Sequence, residues 1–289
     1  MHSFAPTGLT EYTIPDSVTS IGDSAFSYCS SLTSITIPDS VTSIGDRAFS
    51  SCTSLTSITI LDSITSIGEF AFYDCTSLTS VTIGNSVTSI GWSAFSCCRS
   101  LTSITIPDSV TLIGGSAFSG CISLTSVTIG NSVTSIEWHV FAECISLTAF
   151  YGKFASEDNR CLIVDGVLNT FAIGCGLTTY AIPDSVTSIG GDAFSYCPSL
   201  TSVTIGNGVT SIGSFAFMYC GSLTSITIPD SVTSIGSGAF KDSNNLKTII
   251  CKAKIPPKLG DEVFPEFDTL IVPEGCEEAY ANSDWKEFL

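Results

Sequence analysis

The apolar positions of this chain recur at a fixed interval. Phe26, Phe49, Phe72, Phe95, Phe118 and Phe141 follow one another every 23 residues, and the series resumes at Phe194, Phe217 and Phe240 before a degenerate copy ending at Phe264. A period of this length marks a repeat architecture and overrides the two-domain expectation that 289 residues would otherwise carry. Within one unit, LTSITIPDSVTSIGDRAFSSCTS, the pattern changes character along its length. Leu32, Ile35 and Ile37 lie in a β-rich run whose last residues alternate, which predicts a short strand with one buried face. Pro38-Asp39 predicts a turn, and Gly84-Asn85, Gly130-Asn131 and Gly206-Asn207 reach the same reversal by another route. Val41 and Ile44 belong to a short extended piece, and Gly45 permits a further change of direction. Ala48, Phe49 and Cys52 then stand at one-turn helical spacing. Each unit therefore reads as strand, turn, extended piece and single helical turn. Such a unit cannot bury its apolar side alone. Stacking sets each Leu, Ile, Val, Phe and Cys against its own copy in the next coil.

Between Phe141 and Phe194 the spacing widens to 53 residues, one period plus 30. In CLIVDGVLNTF the pair Asp165-Gly166 separates two β-rich runs, a strong hairpin signal. The expected organisation is repeats over 1–151, a hairpin over 152–176 that protrudes without breaking the stack, further repeats over 177–250, and a degenerate repeat with a closing segment over 251–289. Leu177, Tyr180 and Ile182 take up the places of Leu32, Ile35 and Ile37. Residues 3–22 nearly duplicate 170–190, so the chain begins where a preceding hairpin would end, as a piece of a longer array would. At the other end, Leu270 and Val272 predict a last strand. Ala279, Tyr280 and Trp285 predict an amphipathic helix that covers the final apolar face.

Charge narrows the partners. The chain holds 27 acidic and 10 basic side chains, a formal net charge of −17, and residues 1–150 offer only Arg47 and Arg99 as cations. Phosphate backbones need neutralising cations, so nucleic acid is excluded as a main partner. Apolar runs are too short for a membrane-spanning helix, so no membrane insertion is expected. The opening residues, MHSFAPTGLTEY, lack the basic and apolar regions of a signal peptide.

The stretch IPDSVTSIGDRAFSSCTSLTSITI at 37–60 and its copies resemble the BspA-type leucine-rich repeat of bacterial surface proteins, over nearly the whole chain. That resemblance implies an α/β repeat fold: a leucine-rich-repeat solenoid with a parallel β-sheet on its concave face, short helical turns opposite, one β-hairpin insertion and a C-terminal cap. It also implies export and display at the cell surface, and a non-catalytic adhesion role toward host matrix proteins or other cells. One departure stands out: where many such repeats carry an Asn or Cys ladder after the strand, this chain has Ser40, Ser63 and Ser86.

Thirteen cysteines invite a metal or disulfide reading. Eight of them, Cys29, Cys52, Cys75, Cys98, Cys121, Cys144, Cys197 and Cys220, fall three residues after the Phe column and read as a ladder of buried, small-hydrophobe thiols. No CxxC pair occurs, so neither a structural zinc nor any other metal or cofactor is expected. Cys161 with Cys175 and Cys251 with Cys276 are the pairs open to a disulfide. Catalysis finds no constellation. His2 is terminal, His139 reads as a surface substitution, and Cys144 belongs to the buried column. An acidic column through Asp16, Asp39, Asp62, Asp108, Asp184 and Asp230 is explained better by turn chemistry than by calcium.

The surface offers two candidate binding sets. Outward strand positions repeat as Ser57 and Thr59, Ser80 and Thr82, Ser103 and Thr105, a hydroxyl lattice that either meets a ligand or merely suits an exposed strand. Variation concentrates beside each Phe, where Phe70, Trp92, Trp138, His139, Phe215 and Tyr219 replace Ser or Gly. Trp92 and Trp138 occupy equivalent positions two coils apart, about 10 Å by strand spacing. They either seat a protein or glycan between them or fold down over the neighbouring turn. The two functional expectations are a surface protein-binding module and, alternatively, a structural spacer or glycan-binding hydroxyl array.

Overall fold

The computed structural model describes residues 8–289. His2 and the duplicated stretch before Gly8 lie outside the described residues. The chain divides into two units, one ending at Ala155 and the other running from Ser156 to Leu289.

In the first unit the 23-residue period becomes a register. Strands Glu11–Thr13, Ser34–Thr36, Ser57–Ile60, Ser80–Ile83, Ser103–Ile106, Ser126–Ile129 and Ala149–Gly152 form one column. Where they pair, they do so parallel and in step, Ser57 with Ser80, Ser103 with Ser126, Ser126 with Ala149. A second parallel sheet arises from the extended pieces Ser66–Ile67, Ser89–Ile90, Leu112–Ile113 and Ser135–Ile136. Alternation does what the sequence required of it, since Ile58 and Ile60 are buried while Ser57 and Thr59 are exposed.

The expected helical turn does not form. Among the described residues the only α-helix is Glu277–Ala281, with 3-10 turns at Ile173–Cys175 and Asp284–Phe288. Around Phe26 the backbone instead alternates its bonds. Ala25, Ser27 and Cys29 donate within their own coil, to Gly22, Ser24 and Phe26, while Ser24, Phe26 and Tyr28 donate to carbonyls of the next coil at 2.7–2.8 Å. Ser24 and Tyr28 adopt left-handed φ of 57° and 61°, and Arg47, Ser51, Phe70 and Asp74 repeat this pattern. Two left-handed residues per turn break an α-helix. The strain is repaid because alternate N–H groups then reach the neighbouring coil.

That stack buries its columns completely. Phe26, Phe49, Phe72, Phe95, Phe118 and Phe141 lie ring over ring with centroids 5.1–5.6 Å apart and planes within 10°. Phe150, tilted at 66° to Phe141, meets the last ring. Glycine is obligatory where coils press closest: a Cβ on Gly91 would stand 2.6 Å from the Gly68 carbonyl carbon.

Polar columns stitch the same coils. Thr79, Thr125 and Thr148 each donate their hydroxyl to the equivalent threonine carbonyl one coil back, at 2.9–3.0 Å, and Thr88, Thr111 and Thr134 do so at 3.1–3.2 Å. Ser40 and Ser63 donate to Val18 and Val41. Carboxylates at the turns accept as well, with Asp62 and Asp108 receiving the backbone N–H of Asn85 and Asn131. Asp62 and Asp108 therefore serve as rungs between coils.

The second unit repeats this plan. Cys161–Val164 runs antiparallel to Val167–Phe171, joined at Asp165 and Gly166, both with positive φ. This pair does not protrude. Val167 and Leu168 pair in parallel with Ser188 and Ile189, Leu168 and Phe171 are buried, and the Phe171 ring stacks on Phe194 at 4.9 Å. An apolar run this rich (CLIV, VLNTF) gains more from lying in the sheet than from water exposure. The stack continues through Phe217, Phe240 and Phe264. Trp285 then packs against Phe264 at 5.3 Å, with its indole N–H on the Pro257 carbonyl. Tyr280, also buried, donates to the Ala253 carbonyl. Tyr280 thus comes from the short helix and Trp285 from the 3-10 turn, where one amphipathic helix was expected.

Candidate functional site

The cysteine column supplies hydrogen bonds where a purely apolar role was expected. Cys52, Cys75, Cys98, Cys121 and Cys144 are buried, and each thiol donates to a phenylalanine carbonyl of the preceding coil at 3.1–3.3 Å. Cys220 does the same to Phe194. Where the column reaches residue 243, serine replaces cysteine and donates its hydroxyl to the Phe217 carbonyl at 2.7 Å. Cys197 is buried and Cys29 half-buried. None of the thirteen cysteines is in a disulfide, Cys161, Cys175, Cys251 and Cys276 included, and Cys161 instead meets the Tyr180 hydroxyl at 3.1 Å.

Burial fixes the chemistry of these thiols. Desolvation pushes Cys52 and Cys144 up to about 12, and carries Cys75, Cys98 and Cys121 well above their usual value. A thiol held neutral is not a nucleophile. Cys144 therefore stays a carbonyl donor, while His139 stands exposed on a left-handed turn with φ 57°. Among the described residues no group of three His, Cys, Asp or Glu is placed to hold a metal ion, and no helix is long and apolar enough to cross a membrane.

Of the predicted aromatic positions, Phe70, Trp92 and Trp138 lie in the first unit. Phe70 and Trp92 meet edge to face, centroids 4.7 Å apart at 90°, and Tyr73 flanks Phe70 at 5.7 Å. Trp92 is 43% exposed and Trp138 72%. The two indoles do not stand about 10 Å apart around an empty slot. Both lean over Gly115 of the coil between them: a Cβ there would stand 2.8 Å from Trp138 Nε1 and 2.9 Å from Trp92 Cδ1. Apolar ring area is better covered by a neighbour than by water, and glycine offers the only gap. Phe70, Trp92 and Trp138 thus form a strip across successive coils. Glu69 lies one coil before Trp92 in the same column, and Glu137 precedes Trp138 and accepts the Gly115 N–H at 2.7 Å. In the second unit Tyr196 and Tyr219 stack at 4.8 Å, and Phe215 lies against Gly238.

The predicted hydroxyls lie on the other surface. Ser57, Thr59, Ser80, Thr82, Ser103 and Thr105 are exposed. Thr82, Ser103 and Thr105, with the side chains of Asn85, Asp108 and Asn131, line an open depression of about 570 Å³. Sequence reasoning missed Tyr151, 46% exposed, which continues the outward threonine column by pairing with Thr128. The signal was present as an aromatic at a Thr position of the period.

The model for the BspA type leucine rich repeat region matches residues 1–121, 45–155 and 168–276 in six copies. The chain belongs to the BspA-type leucine-rich repeat family. It is similar to a leucine rich cell surface protein of Faecalibacterium prausnitzii, at 27% identity over 96% of this chain and 91% of that one, with a TM-score of 0.63. A leucine-rich repeat protein of Bacteroides ovatus is 31% identical over 88% of this chain and 76% of that one, TM-score 0.56. The pneumococcal vaccine antigen PcpA shares the fold at 22% identity and TM-score 0.65, covering 92% of this chain and 69% of that one. No curated protein matches the chain.

Proposed function

We propose that this BspA-type chain is a non-catalytic binding module of a secreted or cell-surface protein, an adhesion element that engages host matrix proteins or other cells. One observation carries the reading. The scaffold directs its thiols, its stitching threonines and its aspartates inward or onto neighbouring coils, yet leaves Trp92 and Trp138 exposed side by side. Exposed aromatics anchor protein interfaces, and a large side chain left in water has no structural return. The cell-surface description of the Faecalibacterium relative supports the location. A matrix-protein array probed with the native chain and with Trp92→Ala/Trp138→Ala tests it. Loss of the native signals in the double variant is expected; an unchanged pattern on every protein that binds would remove the strip from the function.

A second reading concerns the depression beside Ser103 and Thr105. Their hydroxyls make no hydrogen bond to the described residues, in contrast to the threonines flanking the strands. With no cationic side chain in its lining, the Asp108 carboxylate accepting the Asn131 N–H, and the Asn85 and Asn131 carboxamides beside it, this surface suits a neutral glycan. Ser103→Val/Thr105→Val abolishing a glycan-array signal, with Trp92→Ala/Trp138→Ala leaving it intact, is the expected signature. Closing the far end of the second unit's stack is the role we assign to Tyr280 and Trp285. A pure spacer would show neither loss.

A further inference from the structure

The strip carries information about the charge of what docks on it. The guanidinium of Arg47 sits 4.6 Å above the Phe70 ring, so the first ring of the strip is already occupied by a cation of the chain itself. The next rings, Trp92 and Trp138, have no such partner among the described residues, and indoles are the stronger cation acceptors. Carboxylates stand beside them. Glu69 engages its neighbours through its backbone alone, the N–H donating to Asp46 and the carbonyl accepting from Arg47, and its exposed carboxylate has no partner among the described residues. Glu137 commits one oxygen to the Gly115 N–H and keeps the other. In sequence order the surface runs cation on Phe70, carboxylate of Glu69, Trp92, Gly115 with Glu137, and Trp138. The second arginine in residues 1–150, Arg99, lies outside these columns, and the chain as a whole carries −17. An anionic partner would meet repulsion here, and a neutral one would have to desolvate carboxylates for no return.

We propose that the strip Phe70–Trp92–Trp138, edged by Glu69 and Glu137, receives the Lys or Arg side chains of a basic segment on a partner protein. This rests on the strip being the docking surface and adds the chemistry of what docks. The partner's cations stack on Trp92 and Trp138 as Arg47 stacks on Phe70, and the glutamates supply the counter-charge. The acidic chain raises the encounter rate, so binding weakens with salt.

The test uses the full chain and two labelled hexapeptides, one alternating Gly with Arg and one alternating Gly with citrulline, read by fluorescence anisotropy. Expected are binding of the Arg peptide, at least ~10-fold weaker binding of the citrulline peptide, and an about 10-fold loss for Trp92→Ala/Trp138→Ala, the scale of one or two aromatic anchors. Glu69→Gln/Glu137→Gln weakens binding several-fold, whereas Glu278→Gln/Glu287→Gln, the same charge change placed in the second unit, leaves it unchanged. Circular dichroism of each variant verifies the fold. Three outcomes overturn the proposal: Arg peptide unaffected by the double Trp change, Arg and citrulline peptides bound equally, or neither bound. Equal binding with loss in the Trp variant would still leave the strip a docking surface, and only its charge preference would fall. Failure of the docking reading itself would instead appear as matrix-protein signals indifferent to Trp92 and Trp138.

Discussion

Two columns of the first unit occupy nearly adjacent positions in the repeat and behave in opposite ways. Phe49, Phe72, Phe95 and Phe118 keep one residue type through every coil and stack at nearly constant spacing. Three residues earlier, Asp46, Glu69, Trp92, Gly115 and Trp138 range from acidic to aromatic to glycine. The difference is one of constraint. A buried position sees its own copy above and below, so any change of size leaves a gap or a clash in two coils at once. A turn position on the outside sees water and can vary with what it must meet.

Phe95→Ala breaks the constrained side hardest. Removal of a fully buried ring costs about 3–5 kcal/mol, read as a fall in the urea midpoint. Alkaline pH attacks the thiols of the same interior. Their folded pKa lies above the unfolded one, so this contribution is fully present below the ordinary thiol value of 9.0. It is lost as pH rises from there toward about 12 for Cys144. A stability profile should therefore show no thiol-linked slope at neutral pH and a decline above ~9, shallower in Cys144→Ala. Cys98→Ala opens a small cavity and removes the thiol donor from the Phe72 carbonyl, which keeps the Cys75 N–H, at about 1–3 kcal/mol by the same urea assay. Thr88→Val removes a rung to Thr65 and should cost ~1 kcal/mol, whereas Thr105→Val, on the open face, should stay within about 0.5 kcal/mol. Gly115→Ala has the smallest expected effect on stability, since the two indole rings it displaces are exposed and can turn outward. Its readout is a shifted tryptophan emission as Trp92 and Trp138 part.

The repeat and its register were legible because stacking leaves one residue type per column, and the 23-residue period of the phenylalanines became the pairing step of Ser57 with Ser80. The BspA-type assignment followed from the same stretch, 37–60, that the family model matches. The turn at Ala48–Cys52 was misread as helical because one-turn spacing of apolar residues fits any tight reversal. What decided against a helix was the pull of the neighbouring coil on alternate N–H groups, a contact invisible within one repeat. The same blindness hid the donor role of Cys98 and the placement of Val167–Phe171 in the sheet. Trp92 and Trp138 were found from their departure from the period, yet their closure over Gly115 depended on a missing side chain in a third coil.

The stack that folds the chain is separate from the strip that is left over for binding. A urea titration of Trp92→Ala/Trp138→Ala against the native chain tests it most directly. A midpoint unchanged to within about 0.5 kcal/mol per site, beside a large fall for Phe95→Ala, is what the separation predicts. A loss in the double tryptophan variant as large as that of Phe95→Ala would make the strip part of the scaffold and contradict it.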